Sequence, residues 1–300
     1  MSATNFKIQK ILIPIDFSET SMLAIEHAAF TAKLFKADLV LLHVIEKHWE
    51  RFNIVVPNMR IDAPSDVTEK IETRLEEVAK GIKDKYGVKS VCLTSRGNIY
   101  KEVLNIADEN GVDMIVMGTH GASGFVEAFL GSNAYKVASH ANIPVLSVQS
   151  HAKNVGFKNI VLPIDNTIHS RQKVHHAIVF ANHFGSTIQL LGLHQSKDED
   201  ARRHLDAAIK QVEDFITKSG IVCNTKVMDT KSQARTTLKY AKEVDADLIM
   251  IMDDQDEDIL GRVMGTNAQQ IVNHSKIPTV AIAPVFGEMD SAGSPTGKYS

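Results

Sequence analysis

Lys10-Ile-Leu-Ile-Pro-Ile-Asp16 is met again as Asn159-Ile-Val-Leu-Pro-Ile-Asp165, and this pair decides the fold. Four more segments recur in the same order. Leu41-Leu-His43 is answered by Leu191-Gly-Leu-His194, Asp113-Met-Ile-Val-Met117 by Asp247-Leu-Ile-Met-Ile251, Gly131-Ser-Asn-Ala134 by Gly265-Thr-Asn-Ala268, and Ala141-Asn-Ile-Pro144 by Ser275-Lys-Ile-Pro278. The separations run from 134 residues (113 to 247) to 151 (43 to 194), far beyond a solenoid period, so each copy must hold its own core. A chain of 300 residues has the length for two such domains. The copies set boundaries at 1–150 and 155–286, followed by a Gly-, Ser- and Pro-containing tail, 287–300, expected to be flexible.

Within the first copy, residues 10–15 form a short unbroken apolar run, as for a strand covered on both faces. Ser18 is placed to cap the next helix, whose Ala24, Ala28, Ala32 and Phe35 share one stripe. A second strand is expected over Asp38 to Val44. Val67, Ile71, Leu75, Val78 and Ile82 then mark one face of a long helix that Gly87 ends. A third strand over Val88 to Thr94, a short helix carrying Ile99, Val103 and Ile106, a fourth strand over Met114 to Met117, a helix from about Ser132 to His140 and a fifth strand at Val145 to Val148 complete the unit. The second copy repeats the series from Asn159 to Ala283, with a shorter segment after its second strand. Strands alternating with helices select parallel pairing through right-handed crossovers. The predicted fold class is therefore α/β: two tandem doubly wound parallel five-stranded sheets.

Charge and composition narrow the function. Lys+Arg 33 against Asp+Glu 36 gives a net charge of −3, which offers no basic field to a nucleic acid. No stretch approaches the roughly 18 apolar residues of a membrane span, and none at the start resembles a signal peptide. A cytoplasmic protein is expected. Cys92 and Cys223, one in each copy with no CxxC spacing, read as small buried thiols.

In open parallel sheets, ligands bind beyond the carboxyl ends of the strands where the winding reverses, which directs attention to the loops after the first and fourth strands. The latter reads Gly118-Thr-His-Gly121-Ala-Ser-Gly124-Phe-Val-Glu-Ala-Phe-Leu-Gly131-Ser132-Asn133 and leads into a helix. Glycines let backbone amides approach an anion, and the first helical turn adds unpaired N–H groups at a positive dipole end. Ser132 adds a hydroxyl, so the segment can cradle phosphate; glycine content alone points rather to a plain surface loop.

Gly118, Gly121, Gly131 and Ser132, spaced G-x2-G-x9-G-S, resemble the ATP-binding signature of the universal stress protein family. The resemblance covers nearly the whole chain as two tandem copies, through Ile11-Leu-Ile-Pro-Ile-Asp16, Leu42-His43-Val44, Met114-Ile-Val-Met-Gly118 and Ile143-Pro-Val-Leu146. It implies an adenine-nucleotide α-hydrolase-like fold, with the copies packed as a pseudo-dimer in which Val145 to Val148 meets Thr279 to Ile282. It also implies a regulatory role in stress adaptation. By the same resemblance Pro14, Ile15 and Asp16 face adenine and ribose, and the backbone at Val44 borders the base. Met117 and Gly118 lie by the ribose and phosphates, while Gly121, Gly131, Ser132 and Asn133 hold the phosphate chain, with His120 in reach of it. The implied resident is ATP, or ADP or AMP, with or without Mg2+.

The second copy departs from this pattern. Met252 stands in place of Gly118 and Gln255 in place of Gly121, leaving Gly265 and Thr266. Its loop reads Asp253-Asp254-Gln255-Asp256-Glu257-Asp258, and such acids are expected to repel phosphates, giving one nucleotide per chain, in the first copy. Two other functions compete. A slow ATPase or phosphotransfer enzyme would need metal-holding carboxylates and a positioned base, for which only Asp16 and His120 are at hand, so no catalytic residue is assigned. A binder of a hydrophobic small molecule would use the second copy near Met250, Met252 and Met264. Several lures fail on spacing. Asp254, Asp256 and Asp258 alternate as in a calcium loop, but Ile259 and Gly265 occupy the positions that need glycine and glutamate. Gly293 to Lys298 is one residue short of a P-loop. His43 and His194 read as core-edge imidazoles, and no metal site is assigned. Sequence leaves further homodimerisation open.

Overall fold

The computed structural model describes residues 6–46, 64–119, 131–167, 169–253, 256–258 and 261–285. In the first half, β1 (Lys10–Pro14), β2 (Asp38–Glu46), β3 (Ser90–Gly97), β4 (Met114–Gly118) and β5 (Val145–Val148) alternate with α1 (Glu19–Phe35), α2 (Pro64–Tyr86), α3 (Ile99–Glu109) and α4 (Ser132–His140). The second half runs β6 (Asn159–Ile164), α5 (Lys173–Phe184), β7 (Thr187–His194), α6 (Glu199–Lys218), β8 (Cys223–Asp229), α7 (Gln233–Glu243) and β9 (Leu248–Met252). A short hairpin of β10 (Asp256–Asp258) and β11 (Gly261–Val263) follows, then α8 (Thr266–His274) and β12 (Thr279–Ile282).

Local signals act where the sequence places them. Ser18 caps α1, its Oγ accepting from the Ser21 amide at 3.2 Å. Gly87, at φ 72°, closes α2 through its N–H to the Lys83 carbonyl at 2.9 Å. Residues 195–198 join β7 to α6 where residues 47–63 stand between β2 and α2, so the second half is shorter where the sequence shortens.

The strands follow the order β3-β2-β1-β4-β5 and, in mirror sequence, β12-β9-β6-β7-β8. Within each half of this sheet all pairings are parallel, and the separate β10–β11 hairpin is antiparallel. The halves do not remain separate sheets. β5 and β12 pair antiparallel, Leu146 opposite Val280, which makes one ten-stranded sheet and removes two open edges. Successive residues of β1 serve opposite faces. Ile11 and Ile13 join the layer under α1, α2, α5 and α6, while Leu12 joins the layer under α3, α4, α7 and α8. Each layer runs through both halves, so the two cores are continuous across the β5–β12 seam.

α1 and α5 meet beside that seam in an aromatic cluster. Phe35 stacks on His183 with ring centroids 3.9 Å apart, and Phe157, between the halves in sequence, packs on Phe184 at 4.9 Å. β3 and β8 are the outermost strands and are only partly covered. Cys92 and Cys223 lie on them and are half-buried, not fully buried as expected. Even this partial burial raises both thiol pKa values, which disfavours thiolate chemistry.

Candidate functional site

β1 pairs with β2 on one side and β4 on the other, so the winding reverses between β1 and β4. The carboxyl ends of the strands part there into a cleft with about 180 Å³ open to the centres of water molecules. Pro14, Ile15 and Asp16 line it from β1, Val44 from β2, Met117 and Gly118 from β4, and Gly131, Ser132 and Asn133 from the start of α4. Nine of the eleven residues singled out by sequence thus converge. His120 and Gly121 lie outside the described residues.

Each wall has its local cause. Asp16 Oδ1 accepts from the Ser18 amide at 3.0 Å and the Ser18 hydroxyl at 2.6 Å, a turn that starts α1 while leaving the residue on the cleft wall. Gly131 caps α4 without a side-chain hydrogen bond, so no side chain of its own cap covers the amides of that first turn. Its N–H bonds the Thr119 carbonyl at 2.6 Å, tying the start of α4 to the end of β4. Gly118 answers to a nearer neighbour than any ligand. A Cβ there would lie 2.9 Å from the Thr20 carbonyl carbon and oxygen, so glycine is what lets β4 pass the first turn of α1.

Ser21, Leu42, His43, Ile99, Thr119 and Ala134 complete the lining and were not singled out from sequence. His43 had been read as a core-edge imidazole, and it is one that also fixes the cleft. Its Nδ1 donates to the Ile15 carbonyl at 2.7 Å, and its ring stacks on Phe17, with centroids 5.3 Å apart. Burial lowers its pKa, so the ring is neutral near pH 7. A signal for Ile99 lay in the repeat, where the matching residue is Gln233.

The corresponding place in the second half is a much smaller cavity, with about 30 Å³ open to water centres. Gln233 crosses it. Its Nε2 donates to Asp165 Oδ2 at 2.8 Å and to Gln195 Oε1 at 2.9 Å, and its Oε1 accepts from Asn267 Nδ2 at 3.1 Å. Lys173, only 3% exposed, stands where α1 has Ala24, and donates to the Ser170 carbonyl at 2.6 Å. Burial pushes the Asp165 carboxyl upward, but hydrogen bonds from Thr167, the Lys173 charge and the Gln233 bond outweigh it and hold the pKa below the usual value. Met252 replaces Gly118, and the helix start it faces is rebuilt. A 3-10 turn at His169–Arg171 precedes α5, which begins only at Lys173.

Part of the acidic run is strand. Asp256–Asp258 pairs antiparallel with Gly261–Val263, and β11 lies against α4 of the other half. Asp253 is buried at the end of β9, and residues 254 and 255 lie outside the described residues. Backbone pairing carries Asp256–Asp258 into a hairpin, while Lys173, Gln233, Asn267 and Met252, from α5, α7, α8 and β9, narrow the cavity. Met250, Met252 and Met264 are all core residues, at most 4% exposed, and of the three only Met252 lines the cavity.

A parallel doubly wound α/β unit with a switch point beyond its strand ends, built twice in one chain, defines a tandem two-domain α/β protein. The universal stress protein family profile matches residues 7–149 and 156–283, and the chain belongs to that family. The universal stress protein MJ0577 of Methanocaldococcus jannaschii is 32% identical over 154 residues, 47% of this chain and 94% of that protein. YxiE of Bacillus subtilis is 34% identical over 145 residues, 47% of this chain and 98% of that protein. Among solved structures, a universal stress protein from Archaeoglobus fulgidus superposes with a TM-score of 0.71 at 20% identity, covering 93% of this chain and 97% of its own. The described residues include no helix long and apolar enough to cross a membrane, and no group of three or more side chains placed to hold a metal.

Proposed function

We propose that the first half binds one adenine nucleotide, ATP or its di- or monophosphate, and that occupancy regulates a response to stress. The observation that carries this reading is the contrast between the two switch points. One leaves an open cleft about six times the volume of the other, with the uncapped start of α4 at its rim. A base and ribose fit between Pro14, Asp16 and Val44, and phosphates fit against the amides and hydroxyl at Gly131, Ser132 and Asn133. The described lining includes no lysine or arginine, and its one carboxylate is Asp16. Any Mg2+ would be held chiefly by the nucleotide's own phosphates, and this lining suits binding better than phosphoryl transfer. The domain boundaries 1–150 and 155–286 are proposed on the same footing.

Ser132→Glu separates binding from folding. A carboxylate in the first turn of α4 favours the helix by a few tenths of a kcal/mol. The same charge about 6 Å from a phosphate costs up to about 2–3 kcal/mol at an effective dielectric near 20, reduced by exposure. Calorimetric titration is expected to show one ATP per intact chain and at least tenfold weaker binding in the variant, with its unfolding midpoint unchanged or raised. Two sites per chain, or equal affinity in Ser132→Glu, overturns the proposal.

A further inference from the structure

The second half's cavity has not simply lost a ligand site; three positions that are apolar in the first half carry hydrogen-bond donors here. Ala24 becomes Lys173, Ile99 becomes Gln233 and Val103 becomes Thr237. Gln233 is consumed by Asp165, Gln195 and Asn267, as described above. Thr237 is not. It is completely buried, it lines the cavity, and its Oγ1 has no hydrogen-bond partner. Threonine in place of valine keeps the shape and adds only a hydroxyl, a substitution that burial penalises unless something receives the proton.

Ser170 makes the same demand. Its Oγ accepts from the Asp165 amide at 3.1 Å and from Lys173 Nζ at 3.2 Å. Both acceptor directions are thereby occupied, which leaves the hydroxyl proton as a donor. Ser170 is 4% exposed and also lines the cavity. Asp165 Oδ1 already takes Thr167, and Oδ2 takes Gln233. Asn267 and Ala268, in the first turn of α8, close the remaining wall, and the cap residue Gly265 has no side chain to cover that turn's amides. The cavity thus gathers these donors and the Lys173 charge on one side, beside the Asp165 carboxylate, with Ile164, Leu193, Ile251 and Ile271 among its apolar lining, and it has room for a few waters or one small ion but not for a nucleoside.

We propose that the second half binds a small oxyanion, of the size of formate or phosphate, held by the hydroxyls of Ser170 and Thr237 and the ammonium of Lys173. This site is independent of the nucleotide cleft and stands or falls separately from it. The first half supplies the variants: Thr237→Val and Lys173→Ala each install the residue that the matching position already carries. The full chain is titrated with formate and with inorganic phosphate by calorimetry, with 31P line broadening as a second readout for phosphate. One anion per chain is expected, with about tenfold weaker binding in Thr237→Val, as for loss of a hydrogen bond to a charge, and a greater loss in Lys173→Ala. If Lys173→Ala fails to fold, Thr237→Val alone decides. The absence of binding by both anions, or binding unchanged in Thr237→Val, overturns the proposal, since the latter places the anion elsewhere, the first half's cleft included.

Discussion

Between pH 6.5 and pH 4 the protein is expected to lose about 3 kcal/mol or more of stability, and the loss should trace to two histidines related by the repeat. His27 in α1 and His176 in α5 occupy matching positions where the halves meet. His27 is 1% exposed, and its Nε2 donates to the Ala152 carbonyl at 2.8 Å. Its Nδ1 is buried with no partner, so a second proton there would meet no acceptor. Burial lowers the His27 pKa, opposed by the Ala152 carbonyl and the Glu26 charge. His176 packs on Phe6 at 4.2 Å, and burial brings its pKa down to about 4 against an unperturbed 6.5, with the Gln172 carbonyl opposing and His175 assisting.

The sign follows from proton binding. With both native pKa values depressed, the unfolded chain binds more protons below pH 6.5, so stability is fully present above that value and falls as pH drops toward 4. For His176 the shift is worth about 3 kcal/mol, and His27 adds in the same direction. Urea unfolding across this range should show the decline. In His176→Gln, which has no proton to gain there, most of the His176 share should vanish. An equally steep profile in that variant would assign the acid sensitivity to other groups.

Gly118→Val is expected to destabilise the protein by about 3 kcal/mol, at the upper end for forcing atoms into a packed interior. The obstacle is backbone, because the new Cβ would sit 2.9 Å from the Thr20 carbonyl group and 3.1 Å from the Ser21 amide nitrogen. Neither atom can rotate away as a side-chain tip would. The second half shows the outcome when this position is filled: Met252 is accommodated only where the helix begins with a 3-10 turn. Amide exchange in Gly118→Val should therefore quicken first at residues 19–22, alongside the lower unfolding midpoint. Gly81 is the control, since a Cβ there meets nothing within 4 Å. Gly81→Ala, inside the exposed face of α2, should instead stabilise by about 0.5–1 kcal/mol. A neutral Gly118→Val would remove the packing explanation. Loss of ATP binding in that variant would not by itself test the cleft, which is why Ser132→Glu is the better probe.

Much of the cleft was legible before any coordinates, but for reasons that differ by residue. Asp16, Val44 and Met117 lie within two residues of strand ends, and strand ends follow from short apolar runs that stop. Gly131 and Ser132 announce a helix start through local chemistry alone. Gly118 was legible as a required glycine, but its reason, the approach of α1, was not, since Thr20 is nearly a hundred residues away in sequence. The second pocket shows the opposite case. The acids were conspicuous in the sequence, yet pairing with Gly261–Val263 takes Asp256–Asp258 into a hairpin. The residues that close the cavity, Lys173, Gln233 and Met252, are individually unremarkable and acquire a role only by meeting.

By itself, then, the sequence determined a duplicated α/β unit, its strand and helix order, and the strand ends between which a cleft opens. Each of these rests on periodicity, capping and repetition within short stretches, where the physics is local. Only the tertiary structure decided that one switch point stays open while the other fills with a hydrogen-bonded network, and that His27 lies buried and His176 half-buried where the halves join. Those outcomes depend on distances between residues far apart in the chain, and on which polar atoms find partners once water is excluded.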